Sequence, residues 1–165
     1  MKLKDSMKKN KHFVILGKLP SKYLCPYFEN DNVTITSMNY HIDEDLLPHV
    51  DLWFDLHEEP QKKNANYKKQ NFPFELCHEL VGGKRFCCTM AYMIAWCIIQ
   101  GAEKISIYGC KYVDDGNVRR QRELHNVREL LMFALGRGVE IEICLEDKDY
   151  LFPEHHVEDG QDFDQ

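Results

Sequence analysis

The chain has 165 residues, 44% of them hydrophobic, which is enough for one well-buried core and too few for two ordinary domains. Its 21 Lys and Arg against 27 Asp and Glu leave a net charge of −6, so the positive sheath that duplex nucleic acid demands is missing. The seven cysteines are an odd number with no CxxC spacing, which excludes a zinc knuckle or finger and reads as buried thiols of a reducing compartment, with no metal or cofactor expected.

Residues 1–11 form a basic tail carrying Lys2, Lys4, Lys8, Lys9 and Lys11, with no apolar stretch behind it long enough for a signal peptide. Phe13 to Leu16 is a short apolar run of the kind buried on both faces of a parallel sheet, broken by Gly17-Lys18-Leu19-Pro20-Ser21. Pro20 and Ser21 are expected to start a helix toward Tyr27. Asn30-Asp31-Asn32 then makes a turn before a second strand, Val33 to Thr36, which runs out at Ser37 to His41. Val50 to Leu56 reads as a third strand closing on His57-Glu58-Glu59-Pro60. Residues 61–80 are polar and aperiodic and are expected to be a long connection or flap.

Arg85 to Gln100 is apolar nearly throughout and predicts a helix buried almost all round, ended by Gly101, with a fourth strand over Lys104 to Gly109. The longest apolar stretch, Met90 to Ile99, falls well short of the ~20 residues that cross a bilayer. Leu124, Val127, Leu131, Ala134 and Leu135 predict a last long helix stopped by Gly136-Arg137-Gly138. Val139 to Cys144 alternates apolar with acidic residues, as an edge strand does, and residues 153–165 form an acidic tail. The expectation is a single Rossmann-like α/β domain over 12–152, three layers deep, with a parallel five-stranded sheet in the order 3-2-1-4-5. Its ligand crevice then lies where the chain reverses, between the loops after Gly17 and Gly109.

The candidate site residues sit on those strand ends. Gly17, Lys18 and Ser21 offer amides, a cation and a hydroxyl to a phosphate or carboxylate, although neither GxGxxG nor the GK[ST] of a P-loop is present. Asn39 suits a ribose or base, and equally an Asx turn. His57 and Glu58 are the candidate acid and base, the imidazole also suiting a ligand contact. Thr89, at the start of the buried helix, suits an anion cradle or a plain cap. Cys87 and Cys88 lack a recognisable base and are not read as nucleophiles. Arg119, Arg120 and Arg122, with Gln121 and His125, crowd the amino end of the last helix, where the macrodipole favours acids, so an anion or a facing carboxylate is expected there.

Taken in order, Gly17 to Ser21, Asn39, Asp51-Leu52-Trp53-Phe54-Asp55-Leu56-His57, Phe86 to Met93, Gly101 to Gly109, Gln121-Arg122 and Gly136-Arg137-Gly138 resemble small phage-encoded Rossmann-like proteins. More remotely they resemble family-42 sialyltransferases and archaeal-type hydroxymethylpterin pyrophosphokinases. The resemblance implies the α/β fold and a nucleotide or nucleotide-sugar pocket on the loops after strands 1, 2 and 4, with Gly-Lys-Leu-Pro-Ser standing for the sialyltransferase GxGPS loop and Asn39 matching its Asn. Lys111 stands where such sequences carry an Asp after strand 4, and the chain is short for their acceptor lid, both of which point toward holding phosphates. Lys18, Lys111 and Arg122 are expected near the phosphates, with Gly109 and Gln121 lining the pocket.

The functional expectation is therefore binding of an anionic nucleotide-type small molecule by a cytoplasmic protein. A phage would use such binding as anti-defence, sequestering a host signalling nucleotide. The alternatives are a glycosyl- or nucleotidyl-transferase or nucleotide hydrolase in the same pocket, and a pocketless protein-interaction module. Self-association as a homo-oligomer is a further expectation, through the edge strand or the aromatic stretch around Phe72 and Phe74.

Overall fold

A computed structural model describes residues 11–39, 44–60, 64–110 and 116–151. Its strands are β1 (His12–Leu16), β2 (Val33–Met38), β3 (Leu52–Asp55), β4 (Tyr67–Lys68), β5 (Lys104–Tyr108) and β6 (Glu140–Ile143). Its α-helices are α1 (Phe74–Val81), α2 (Thr89–Ile99), α3 (Val118–Gly136) and α4 (Leu145–Leu151), and two 3-10 turns cover Pro20–Leu24 and Leu47–His49. The fold is α/β, with one fully parallel sheet in the order β4-β3-β2-β1-β5-β6.

The expected order of five strands is present, and β4 extends it by one at the β3 edge. Two residues carry no readable period, which is why β4 is invisible in a pattern of alternation. The expectation of a long connection over 61–80 is corrected in the same place: from residue 64 onward it holds β4 and α1. Its aromatic residues drive that order. Tyr67 stacks on Phe54 with ring centroids 4.9 Å apart, and Phe72 is only 6% exposed. Phe74 packs edge-on against Tyr92. The aromatic stretch expected as a self-association surface is thus core.

Alternation along β1 and β5 divides the core into two. Phe13, Ile15, Ile105 and Ile107 meet α2 and α3 on one face, where Trp96, Met93, Ile94, Val127 and Leu131 are buried. Val14, Leu16, Val33, Ile35 and Tyr108 face the other way, beneath Cys25, Tyr27, Phe28 and Val50. The second covering layer is therefore made of 3-10 turn and loop, because the helix expected from Pro20 to Tyr27 closes after Leu24. The α3 stripe also rotates: Leu130 is buried while Leu135 is 44% exposed. Polar side chains inside the sheet are paired, Thr36 donating to the Val14 carbonyl at 2.8 Å and Ser37 to that of Leu16 at 3.0 Å.

Candidate functional site

The carboxyl ends of β1, β2, β3 and β5 open onto a cleft of about 830 Å³, within the range of small-molecule sites. Its floor is set by a close backbone approach. A Cβ on Gly17 would lie 2.2 Å from the Gly109 carbonyl oxygen and 2.6 Å from Cys110 Sγ. Gly109 itself has φ +77°. Only glycines let the two loops at the chain reversal touch here, and the Gly17 amide donates to Tyr108 O at 2.8 Å.

Of the residues expected from the sequence, Gly17, Lys18, Asn39, His57, Thr89 and Gly109 line the cleft. The others do not. Ser21 is 6% exposed, and its hydroxyl donates to both carboxylate oxygens of Asp147 at 2.9 and 3.0 Å. Glu58 is an exposed partner of Lys69. Arg122 and Gln121 lie outside the lining, and Arg119 and Arg120 stand there instead. Lys111 falls outside the described residues. One residue along a helix turns a side chain by about 100°, so which arginines of a run reach a cleft depends on the helix's rotation against the sheet. Asn117 caps α3, accepting from the Arg119 and Arg120 amides at 3.0 and 3.4 Å, and Arg119 pairs with Glu123 at 3.1 Å. These contacts soften the dipole conflict of the arginine run.

Two of the lining residues are held in unusual states. Asn39 is the non-glycine residue at positive φ (58°) among those described, and its Oδ1 is buried without a partner. Its backbone is fixed from behind, the amide donating to Phe54 O at 2.8 Å and the carbonyl accepting from Trp53 Nε1. A left-handed backbone that carries a buried, unsatisfied acceptor beside a cleft marks a place for a hydrogen-bond donor. His57 Nδ1 lies 2.8 Å from Asp55 Oδ1, and that carboxylate is completely buried. Asp55 therefore fixes the ring and leaves Nε2 as the chemically available nitrogen.

The wall formed by α1, α2 and the segment before α2 is aromatic. Phe86 stacks on Tyr92 with centroids 4.3 Å apart and planes 10° apart, and Phe74, Leu56, Met38 and Met90 complete the apolar lining. Buried Asn126 of α3 holds this wall in place, accepting from the Cys87 amide at 2.8 Å and donating to Arg85 O at 2.6 Å. Behind it, Tyr92 and His78 Nε2 are 3.0 Å apart. Burial pushes the Cys88 thiol up to about 12 and raises Cys87 as well, so both stay protonated at neutral pH and are poor nucleophiles. Thr89 is the first helical residue of α2, and Cys88 occupies the cap position without a side-chain cap bond, so the plain-cap reading of Thr89 does not hold.

Asp55, Asn126, Asp147 and the aromatic wall are the residues that sequence reasoning missed. Asp55 carried a signal, as a carboxylate at the end of a strand two places before His57, a spacing that puts two side chains on one face where the backbone stays extended. Asn126 carried a weaker one, as an amide inside the apolar stripe of α3. Asp147 gave none.

The fold and cleft define an α/β protein with a ligand-sized site at the reversal point of a parallel sheet. Comparison with protein-family models, with curated proteins and with solved structures found no match to this chain. The resemblance drawn above rests on its motif residues alone. Among the described residues no helix is long and apolar enough to cross a membrane, and no cluster of His, Cys, Asp and Glu could hold a metal ion.

Proposed function

We propose that the cleft binds an anionic nucleotide-type small molecule, a nucleotide or nucleotide-sugar. The observation that carries this reading is the meeting, in one cleft, of cations from two elements with a stacked aromatic wall and an orphaned acceptor. Lys18, Arg119 and Arg120 supply charge for phosphates, and the first-turn amides of α2 add a dipole of the same sign. Phe86, Tyr92 and Phe74 offer apolar surface to a planar base. Asn39 Oδ1 accepts from a ribose hydroxyl or an exocyclic amine, and His57 lines the same cleft. An open cleft of this size with polar lining favours a ligand site over a pocketless interaction module. Sequestration of a signalling nucleotide is the use this reading allows without any chemistry.

Calorimetry against a panel of mono-, cyclic and sugar nucleotides tests it, together with a mass spectrum of whatever copurifies with the protein. Binding should weaken by ten-fold or more when Arg119 and Arg120 are both replaced by Ala, and should fall with added salt. Silence across the panel and an empty spectrum would overturn the reading.

A further inference from the structure

We infer that the cleft also hydrolyses its ligand, at a phosphoanhydride bond, with His57 as general base and Asp55 as its positioning residue. This rests on the binding reading above and adds a reaction to it. A carboxylate wholly removed from solvent is costly unless it is paired, and Asp55 is completely buried while holding a half-exposed imidazole at 2.8 Å. That arrangement fixes Nδ1 as the donor to Asp55 and turns Nε2 into the acceptor on the cleft side, which is the state that takes a proton from water. A His serving only as a ligand contact needs no buried partner of this kind.

The nature of the leaving group follows from what else lines the cleft. Glu123 is the one carboxylic side chain in the described lining, and it is engaged by Arg119. An ester would expel an alkoxide, which needs an acid opposite the attacking water, and the second carboxylate of the sequence pair, Glu58, lies outside the cleft. A phosphoanhydride expels a phosphate, which leaves as a stable anion and needs only positive charge. Lys18, Arg119 and Arg120 supply it. In the step, water oxygen forms a bond to phosphorus while the bridging P–O bond breaks. The water proton passes to His57 Nε2, the bond's electron pair leaves on the departing phosphate, and the imidazolium later releases its proton to solvent. One anhydride and one water give two phosphates.

The test incubates the full chain with UDP-glucose, ADP-ribose and NAD as anhydrides, and with AMP and 3′,5′-cyclic AMP as esters. Magnesium is present, the water is enriched in oxygen-18, and binding of each compound is measured in parallel. Expected are cleavage of a bound anhydride with one heavy oxygen in a product phosphate, and esters left whole. H57A should keep affinity within about two-fold, lose rate by about 10²–10⁴-fold, and regain part of it with added imidazole. D55N should lower kcat with KM unchanged and abolish the low-field Nδ1 proton resonance of His57. Exposed His57 keeps the test interpretable if D55N fails to fold. Three results overturn the inference while leaving the binding reading intact: a bound anhydride recovered whole, cleavage of esters in preference to anhydrides, or loss of affinity rather than rate in H57A. Absence of binding to every compound overturns the binding reading itself.

Discussion

Gly17→Ala should destabilise the protein by about 3–5 kcal/mol and abolish ligand binding. The added methyl would sit 2.2 Å from Gly109 O, 2.7 Å from Gly109 C and 2.6 Å from Cys110 Sγ, and two of those three atoms are backbone that cannot rotate away. Overpacking of a side-chain core costs about 1–3 kcal/mol. Here the strands must part, which also strains the Gly17 N to Tyr108 O bond at 2.8 Å and the Leu19 N to Gly109 O bond at 3.1 Å, each contributing about 1 kcal/mol. For a chain of this size the sum corresponds to a fall in Tm of about 6–20 °C. Gly136→Ala is the control: no atom lies within 4 Å of its Cβ, and at a helix end it should be neutral or stabilise by up to about 1 kcal/mol. Urea unfolding measures both. A Gly17→Ala protein within about 0.5 kcal/mol of the parent, with its cleft still binding, would refute the placement of the site at this contact.

Asn39→Gly should relieve the positive-φ backbone, leaving stability unchanged or higher by up to about 1 kcal/mol, while affinity for the ligand falls by about 10-fold or more; calorimetry beside a thermal melt separates the two effects. Asp147→Ala leaves the Ser21 hydroxyl and the Gly109 amide buried and unpaired, and should cost about 2–5 kcal/mol, with Asp147→Asn recovering part of that in denaturant titrations. Glu142 is partly desolvated, which opposes ionisation, but hydrogen bonds from Lys104, Tyr27 and Tyr108 outweigh this and hold its carboxyl at about 2 against an ordinary 4.5. A depressed carboxyl stabilises the fold above its unfolded value and loses that contribution as pH falls from about 4.5 to 2. Glu142→Gln should therefore cost about 1 kcal/mol at pH 7, given the solvent screening at this half-open position, and the gap should close by about pH 2 in stability curves. A gap that persists unchanged to pH 2 would contradict the assignment.

Much of the fold was legible because its signals are local. The continuous apolar run Phe13 to Leu16 and the strand-forming stretch Lys104 to Tyr108, each broken by the glycine that follows, mark parallel strands, and the crossover rule then orders them. The stretch 64–81 was illegible for the opposite reason. A two-residue strand and an eight-residue helix carry too few positions for a period, and their order comes from Tyr67, Phe72 and Phe74 burying against Phe54 and Tyr92.

The α/β class, the parallel order of five strands and the place of the cleft can all be read along the chain, since glycine-punctuated strand ends and right-handed crossovers depend on chain chemistry within a few residues. Which side chains meet there is settled by packing between distant segments. Ser21 and Asp147 are 126 residues apart and Cys87 and Asn126 are 39 apart, and no local pattern encodes such pairs. The choice of Arg119 and Arg120 over Arg122 is likewise tertiary, because it depends on how α3 is rotated as its buried face, Val127, Leu130 and Leu131, packs against the sheet and α2.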